Sequence, residues 1–175
     1  SKSAKPAVAK QFEIGILEKW FFDGGTGGPL KYTPEQMAQT LDEIGLDVEL
    51  TVRKEGHISP ENAPDELPVM AAALARKGRG ILWVAMDTVR PDEPHWIQAI
   101  RTAKQLGIPQ YRHRGFKYVA GKPLKAQLAN FHSLAKEFAA VNQEIGIQAV
   151  YQPHAGNDRV GSTAWDLDLM LGDID

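Results

Sequence analysis

The stretch Gly80-Ile81-Leu82-Trp83-Val84-Ala85-Met86 is continuously apolar from Ile81 to Met86, the pattern of a strand covered on both faces in a parallel sheet. Glycine precedes the run, and Asp87, Thr88 and Arg90 follow at its carboxyl end. The same layout recurs in both directions along the chain. Apolar, β-branched or mixed runs at Phe12 to Leu17, Asp47 to Val52, Ile108 to Arg112 and Ile147 to Gln152 each lead into a loop and then a helix-period stretch. Five such periods make a parallel α/β pattern, at the spacing of βα repeats. The pairs Gly45-Leu46, Gly80-Ile81, Gly107-Ile108 and Gly146-Ile147 use one device: a glycine at a helix end, then the first apolar residue of the next strand.

The helices carry their own punctuation. Thr33-Pro34-Glu35-Gln36 is a capping box with proline at N1, ahead of an apolar face of Met37, Leu41 and Ile44. A second helix is expected from Asp65 to Lys77, with Leu67, Met70 and Leu74 buried and Gly78 as its cap. The third begins after Pro91 to Pro94 and repeats Trp96, Ile97, Ile100 and Leu106 at helical spacing. The fourth, Leu124 to Ile145, is the longest and turns Leu128, Phe131, Leu134, Phe138, Val141 and Ile145 to the core. The last runs from Thr163 to Leu171 and stops at Gly172, where a sixth strand is due. His95 and His132 fall on helices and read as solvated or half-buried.

Composition excludes several function classes. The 175 residues, 43% apolar and 24% charged, fit one folded domain over 12–175 behind a polar tail at 1–11, expected to be disordered. A net charge of -2 with mixed signs leaves no electrostatic footprint for nucleic acid. The absence of cysteine removes disulfides, thiolate catalysis and cysteine-based metal centres. No apolar run approaches the roughly 18 residues of a membrane span, so the expected compartment is the cytoplasm. The alternative is export with the signal removed, for which Ala7-Val8-Ala9 has the small-x-small pattern.

In parallel α/β folds the ligand lies beyond the carboxyl ends of the strands. That rule selects Glu18 and Lys19 after strand one, Glu49, Arg53 and His57 around strand two, and Asp87 after strand three. It adds Arg112, His113, Arg114 and Lys117 after strand four, and Gln152, His154 and Asn157 after strand five. Strand two alternates Val48, Leu50 and Val52 with Glu49, Thr51 and Arg53, and in a closed barrel its polar face points to the axis or mouth. The basic residues suit a sugar, a sugar phosphate or a keto-acid. Each group also has a plainer reading: a Glu49 to Arg53 ion pair, His57 as a surface histidine, and a solvated charge run from Arg112 to Lys117. The Gly24, Gly25, Gly27, Gly28 cluster matches neither GxxxxGK(S/T) nor GxGxxG and reads as a flexible loop.

Ala149-Val150-Tyr151-Gln152-Pro153-His154-Ala155-Gly156, followed by Val160-Gly161-Ser162-Thr163-Ala164-Trp165-Asp166-Leu167, resembles the sugar phosphate isomerase/epimerase family, the xylose isomerase-like TIM barrels. Val48 to Arg53 with Gly56-His57, Asp65-Glu66-Leu67-Pro68, Tyr111-Arg112 and Phe116-Lys117-Tyr118 resemble one branch of it, so the likeness runs in order over roughly 12–175. The resemblance implies a (β/α)8 barrel of which about five β/α units are present. It also implies a divalent metal (Mn, Co, Mg or Zn) held by Glu, Asp, His and Glu from strands five to eight. Such a metal polarises a carbonyl and an adjacent hydroxyl while carboxylates move a proton between neighbouring carbons. On that mapping Glu49 and His154 are the catalytic candidates. Arg53, His57, Arg112, Lys117, Gln152 and Asn157 contact substrate, and His154 is a possible metal ligand. Gln152 departs from the pattern, standing where many relatives place a metal-binding carboxylate, and Pro153 stands where they often have asparagine. The remaining ligands belong to strands six to eight.

Three functions are compatible with these residues: an isomerase or epimerase acting on a small-molecule sugar or sugar phosphate, a non-catalytic carbohydrate-binding relative favoured by Gln152, and a flavodoxin-like small-ligand module. Strand order separates the last, since a barrel sector runs 1-2-3-4-5 and a flavodoxin-like sheet 2-1-3-4-5. An open five-unit sector exposes strand edges, which invites self-association.

Overall fold

The computed structural model describes residues 13–21 and 32–174. The tail, the Ala7 to Ala9 pattern, the start of the first run at Phe12 and the glycine cluster at 24–28 lie outside the described residues. The elements alternate: β1 (Gly15–Leu17), α1 (Pro34–Ile44), β2 (Asp47–Thr51), α2 (Ala63–Ala75), β3 (Ile81–Ala85), α3 (Trp96–Gln105), β4 (Gln110–His113), α4 (Leu124–Ile145), β5 (Gln148–Tyr151) and α5 (Ala164–Leu171). One sheet forms in the order β1-β2-β3-β4-β5, with every described pair parallel. That order removes the flavodoxin-like alternative. Right-handed connections between sequential neighbours place all helices on one face, and α1 to α5 pack neighbour against neighbour there.

The strand register sorts side chains into layers. Leu50, Val84, Tyr111 and Ala149 are aligned across β2 to β5 and meet the helices. Tyr111 is fully buried, packs edge-on against Trp96 of α3 and donates its hydroxyl to Asn142 of α4 at 2.9 Å. The opposite, inner face carries two rows. Glu49, Trp83, Gln110 and Gln148 form one, and Thr51, Ala85, Arg112 and Val150 the other. Parallel strands with a polar inner face and an apolar helix-covered outer face are what a barrel sector requires.

Local chemistry explains most boundaries. Thr33 and Gln36 make both hydrogen bonds of the capping box, and α1 ends at Gly45 in the left-handed region, φ 72. Gly146, φ 74, ends α4 the same way. α2 spans 63–75 instead of 65–77, because Pro64 is accommodated in its first turn, where its missing N–H costs nothing. Two apolar positions expected in the core are exposed: Ile44 at 49% and Leu106 at 36%. The small side chains Ala38, Ala99 and Ala103 take the close-packed places.

Candidate functional site

The carboxyl ends of β1, β2 and β4 gather a polar cluster on the inner face. Arg112 donates from Nε to Glu49 Oε1 at 2.8 Å, with the two side chains 15% and 16% exposed. The pair spans β3, where Arg112 is in register with Ala85, whose methyl leaves the passage open. This corrects the expected Glu49 to Arg53 pair. Along a strand the chain rises about 3.3 Å per residue, so side chains four apart diverge, unlike those four apart on a helix. Arg53 instead approaches Asp87 after β3 at 3.8 Å, a longer and more open pairing.

Glu18 and Thr51 form the deepest part of the cluster. Both are fully buried, and the Thr51 hydroxyl hydrogen-bonds Glu18 Oε1. Burial pushes the Glu18 carboxyl above the ordinary carboxylate range, opposed by the Thr51 hydrogen bond and nearby Arg53. Its Oε2 is buried without a partner among the described residues. His57, expected as a surface histidine, is half-buried with Nδ1 enclosed and unpaired among those residues. Desolvation lowers it to about 4, so the ring is neutral at pH 7.

His113 belongs elsewhere. It is on the outer face, stacked on Phe138 with ring centroids 5.2 Å apart and flanked by Phe116 and Tyr151. Its Nδ1 meets the Arg114 carbonyl, and burial holds it at about 4. It is a core histidine, not a ligand contact.

The candidates after β5 sit on an exposed loop. Gln152, His154 and Asn157 are all exposed, and the described polar contact of the His154 ring is Nδ1 with the Gln152 carbonyl at 3.0 Å. Lys117 is paired with Asp158 at 3.2 Å. That pair belongs to a clamp between the loops after β4 and β5: Tyr118 N donates to Asp158 O at 2.8 Å, and the Tyr151 hydroxyl donates to Val160 O at 2.8 Å and accepts from Phe116 N at 3.3 Å. The structure thus brings Glu49, Arg112, Arg53 and His57 to one end of the inner face. Gln152, His154 and Asn157 lie on the β5 loop, and Lys117 is spent in the clamp. Thr51 was not singled out as a site residue by its sequence; the clue was its place between Glu49 and Arg53 on the polar face of the strand.

A metal centre does not assemble from these residues. No group of three or more His, Asp or Glu side chains converges among the described residues. On the β5 loop the donors are the His154 imidazole, the neutral amides of Gln152 and Asn157, and an Asp158 carboxylate already paired with Lys117, a poor set for a divalent ion.

No family model and no curated protein matches the chain. Solved structures do. One is a candidate xylose isomerase from Rhodospirillum rubrum, 17% identical, with a TM-score of 0.72 over 94% of this chain and 62% of that one. A D-tagatose 3-epimerase-like protein gives 16% identity and a TM-score of 0.65 over 94% and 61%. The fold is that of the xylose isomerase-like TIM barrels. This chain spans about three fifths of the length of those two structures, covering 62% and 61% of them. In a xylose isomerase-like barrel the inner rows are axis-facing and the Glu18, Thr51 and Arg112 end is the mouth. Among the described residues no helix is long and apolar enough to cross a membrane.

Proposed function

We propose that these five units form the first part of a sugar isomerase or epimerase barrel whose ligand binds over Glu49, Arg112, Arg53 and His57. The observation that carries this reading is the polar cluster at the carboxyl ends of β1, β2 and β4, where ligands of such folds lie. Similarity to an isomerase-type and an epimerase-like barrel supports it. Of the basic candidates, Arg112, Arg53 and Lys117 are each beside a carboxylate, Glu49, Asp87 and Asp158, whereas among the described residues no such pair forms at Arg114 or Lys19, so the ligand class stays a sugar or a sugar phosphate.

In this reading the hydrogen bond from Arg112 Nε fixes the Glu49 side chain in place on the inner face. A carboxylate so placed can take a proton from a carbon next to a sugar carbonyl. Among the described residues the five units offer no three-donor set for a divalent metal. The test is incubation of the full-length gene product with a panel of aldoses and ketoses in D2O, with and without Mn, Co, Mg or Zn. Deuterium incorporation next to the carbonyl supports the reading, and its absence for every sugar and metal refutes it.

Gln152 in place of a carboxylate favours a second reading, a carbohydrate-binding relative without catalysis. Thermal unfolding separates the two: sugar-dependent stabilisation with no response to any of the four metals and no deuterium exchange is the result expected of a binder.

A further inference from the structure

Glu18 directly follows β1 at the mouth, yet its carboxyl is fully buried. Its partner Thr51 has a second contact, accepting the His57 backbone N–H at 3.0 Å. A hydroxyl oxygen that accepts from a backbone N–H directs its own hydrogen elsewhere, here to Glu18 Oε1. The three residues are therefore strung in one direction, from His57 N–H to Thr51 and from Thr51 O–H to Glu18. The backbone closes tightly around this string. Ile58 N donates to Thr51 O at 3.2 Å, Arg53 N to Ile58 O at 2.9 Å and Gly56 N to Arg53 O at 2.9 Å.

This turn fixes the backbone of His57, from which the ring projects. Its Nδ1 is buried with no partner among the described residues. An orphaned buried N–H is rarer than an under-used acceptor, so the proton belongs on Nε2 and Nδ1 carries the lone pair. Arg53 and Glu49 are the charged groups close enough to bear on the Glu18 carboxyl.

We propose that Glu18 is a positioning residue that, through the Thr51 hydroxyl, holds the turn at His57 so that its imidazole offers Nε2–H to a hydroxyl or carbonyl oxygen of a bound sugar. The ligand half rests on the sugar reading above; the positioning half does not. Long-range 1H–15N correlation spectra of the full-length gene product read both. The wild type should show the Nε2–H tautomer and titrate at about 4. Glu18→Gln keeps an acceptor for Thr51 and should leave His57 unchanged. Glu18→Ala should free the turn and raise the proton affinity of His57 by about tenfold or more, toward the ordinary histidine value. Should Glu18→Ala fail to fold, Thr51→Val carries the same expectation, with Thr51→Ser as the rescue. An Nδ1–H tautomer, or a His57 titration untouched by both disruptive variants, overturns the proposal. D-Xylose, D-fructose and D-tagatose are then added as probes. Shifts at Arg112 that leave His57 unmoved overturn the ligand half and spare the sugar reading. No shift at any mouth residue overturns that reading, and the tautomer and variant results still decide the positioning half.

Discussion

Replacing His113 with phenylalanine should flatten the acid limb of the stability curve. In the folded protein the imidazole is 7% exposed, stacked on Phe138 between Phe116 and Tyr151, and burial lowers it from 6.5 to about 4. Between those two values the unfolded chain binds a proton at this position and the folded chain does not. Stability therefore rises with pH across the window and falls as pH drops from 6.5 to about 4. At about 1.4 kcal/mol per pH unit, His113 accounts for a loss of about 3 kcal/mol over that interval. Phenylalanine keeps the stacking but abandons the hydrogen bond to the Arg114 carbonyl, at a cost of about 1 kcal/mol. The variant should then be about 1 kcal/mol less stable at pH 7 and about 2 kcal/mol more stable at pH 4, with the two curves crossing between. His57 contributes a slope of the same sign, and Glu18, raised by burial, one of opposite sign above 4.5. Both groups are common to the two proteins and cancel in the difference. Urea unfolding followed by tryptophan fluorescence at half-unit pH intervals measures it. Parallel curves for wild type and variant would show that His113 titrates normally and would refute the argument.

The Glu49 to Arg112 pair should behave as a unit. Arg112→Met alone leaves a carboxylate in a mostly dry place and should destabilise by about 2–4 kcal/mol, whereas the double change with Glu49→Leu should recover most of that loss in chemical denaturation. Gly56→Ala places a Cβ 2.5 Å from Thr51 Oγ1 and 2.8 Å from Arg53 Cγ, and calorimetry should show a loss of about 1–3 kcal/mol. At Gly45 an added Cβ meets nothing within 4 Å, so Gly45→Ala should cost about 1 kcal/mol, for its left-handed backbone alone.

The fold was largely legible because each unit signals itself locally. α4 spans 124–145 as its apolar period predicts, and the Thr33 capping box makes both of its bonds. Strand centres match, but ends shift: β3 stops at Ala85, short of Met86, since an apolar run continues past the point where ladder pairing stops, whereas β4 runs past Arg112 to His113. Helical periodicity misjudged Ile44 and Leu106 because both stand at helix ends, Ile44 as the last residue of α1 and Leu106 as the cap just past α3, where the chain turns away from the packed face. The site was legible only as a set of strand ends. Which members touch was hidden, since Glu49 and Arg112 are 63 residues apart and Glu18 and Thr51 are 33 apart. Those contacts depend on register, and the Val48 to Glu49 irregularity against β3 shifts that register by one residue. His113 was misplaced for the same reason: a polar residue at a strand end faces inward or outward according to a parity the local sequence does not mark.

The strictly sequential order of the sheet also bears on how the chain acquires its structure. Each strand lies beside the one made just before it, so no pairing among β1 to β5 skips a neighbour. The longest loop closure any strand must wait for is a single helical crossover, which keeps contact order low for a parallel sheet and favours fast assembly. A chain emerging from the ribosome can add one unit at a time, each docking on a template already in place. Energetically such an array is close to one-dimensional, each inner unit held by the two it adjoins. Damage at one strand interface should loosen its immediate neighbours first, and hydrogen exchange should spread outward from that seam.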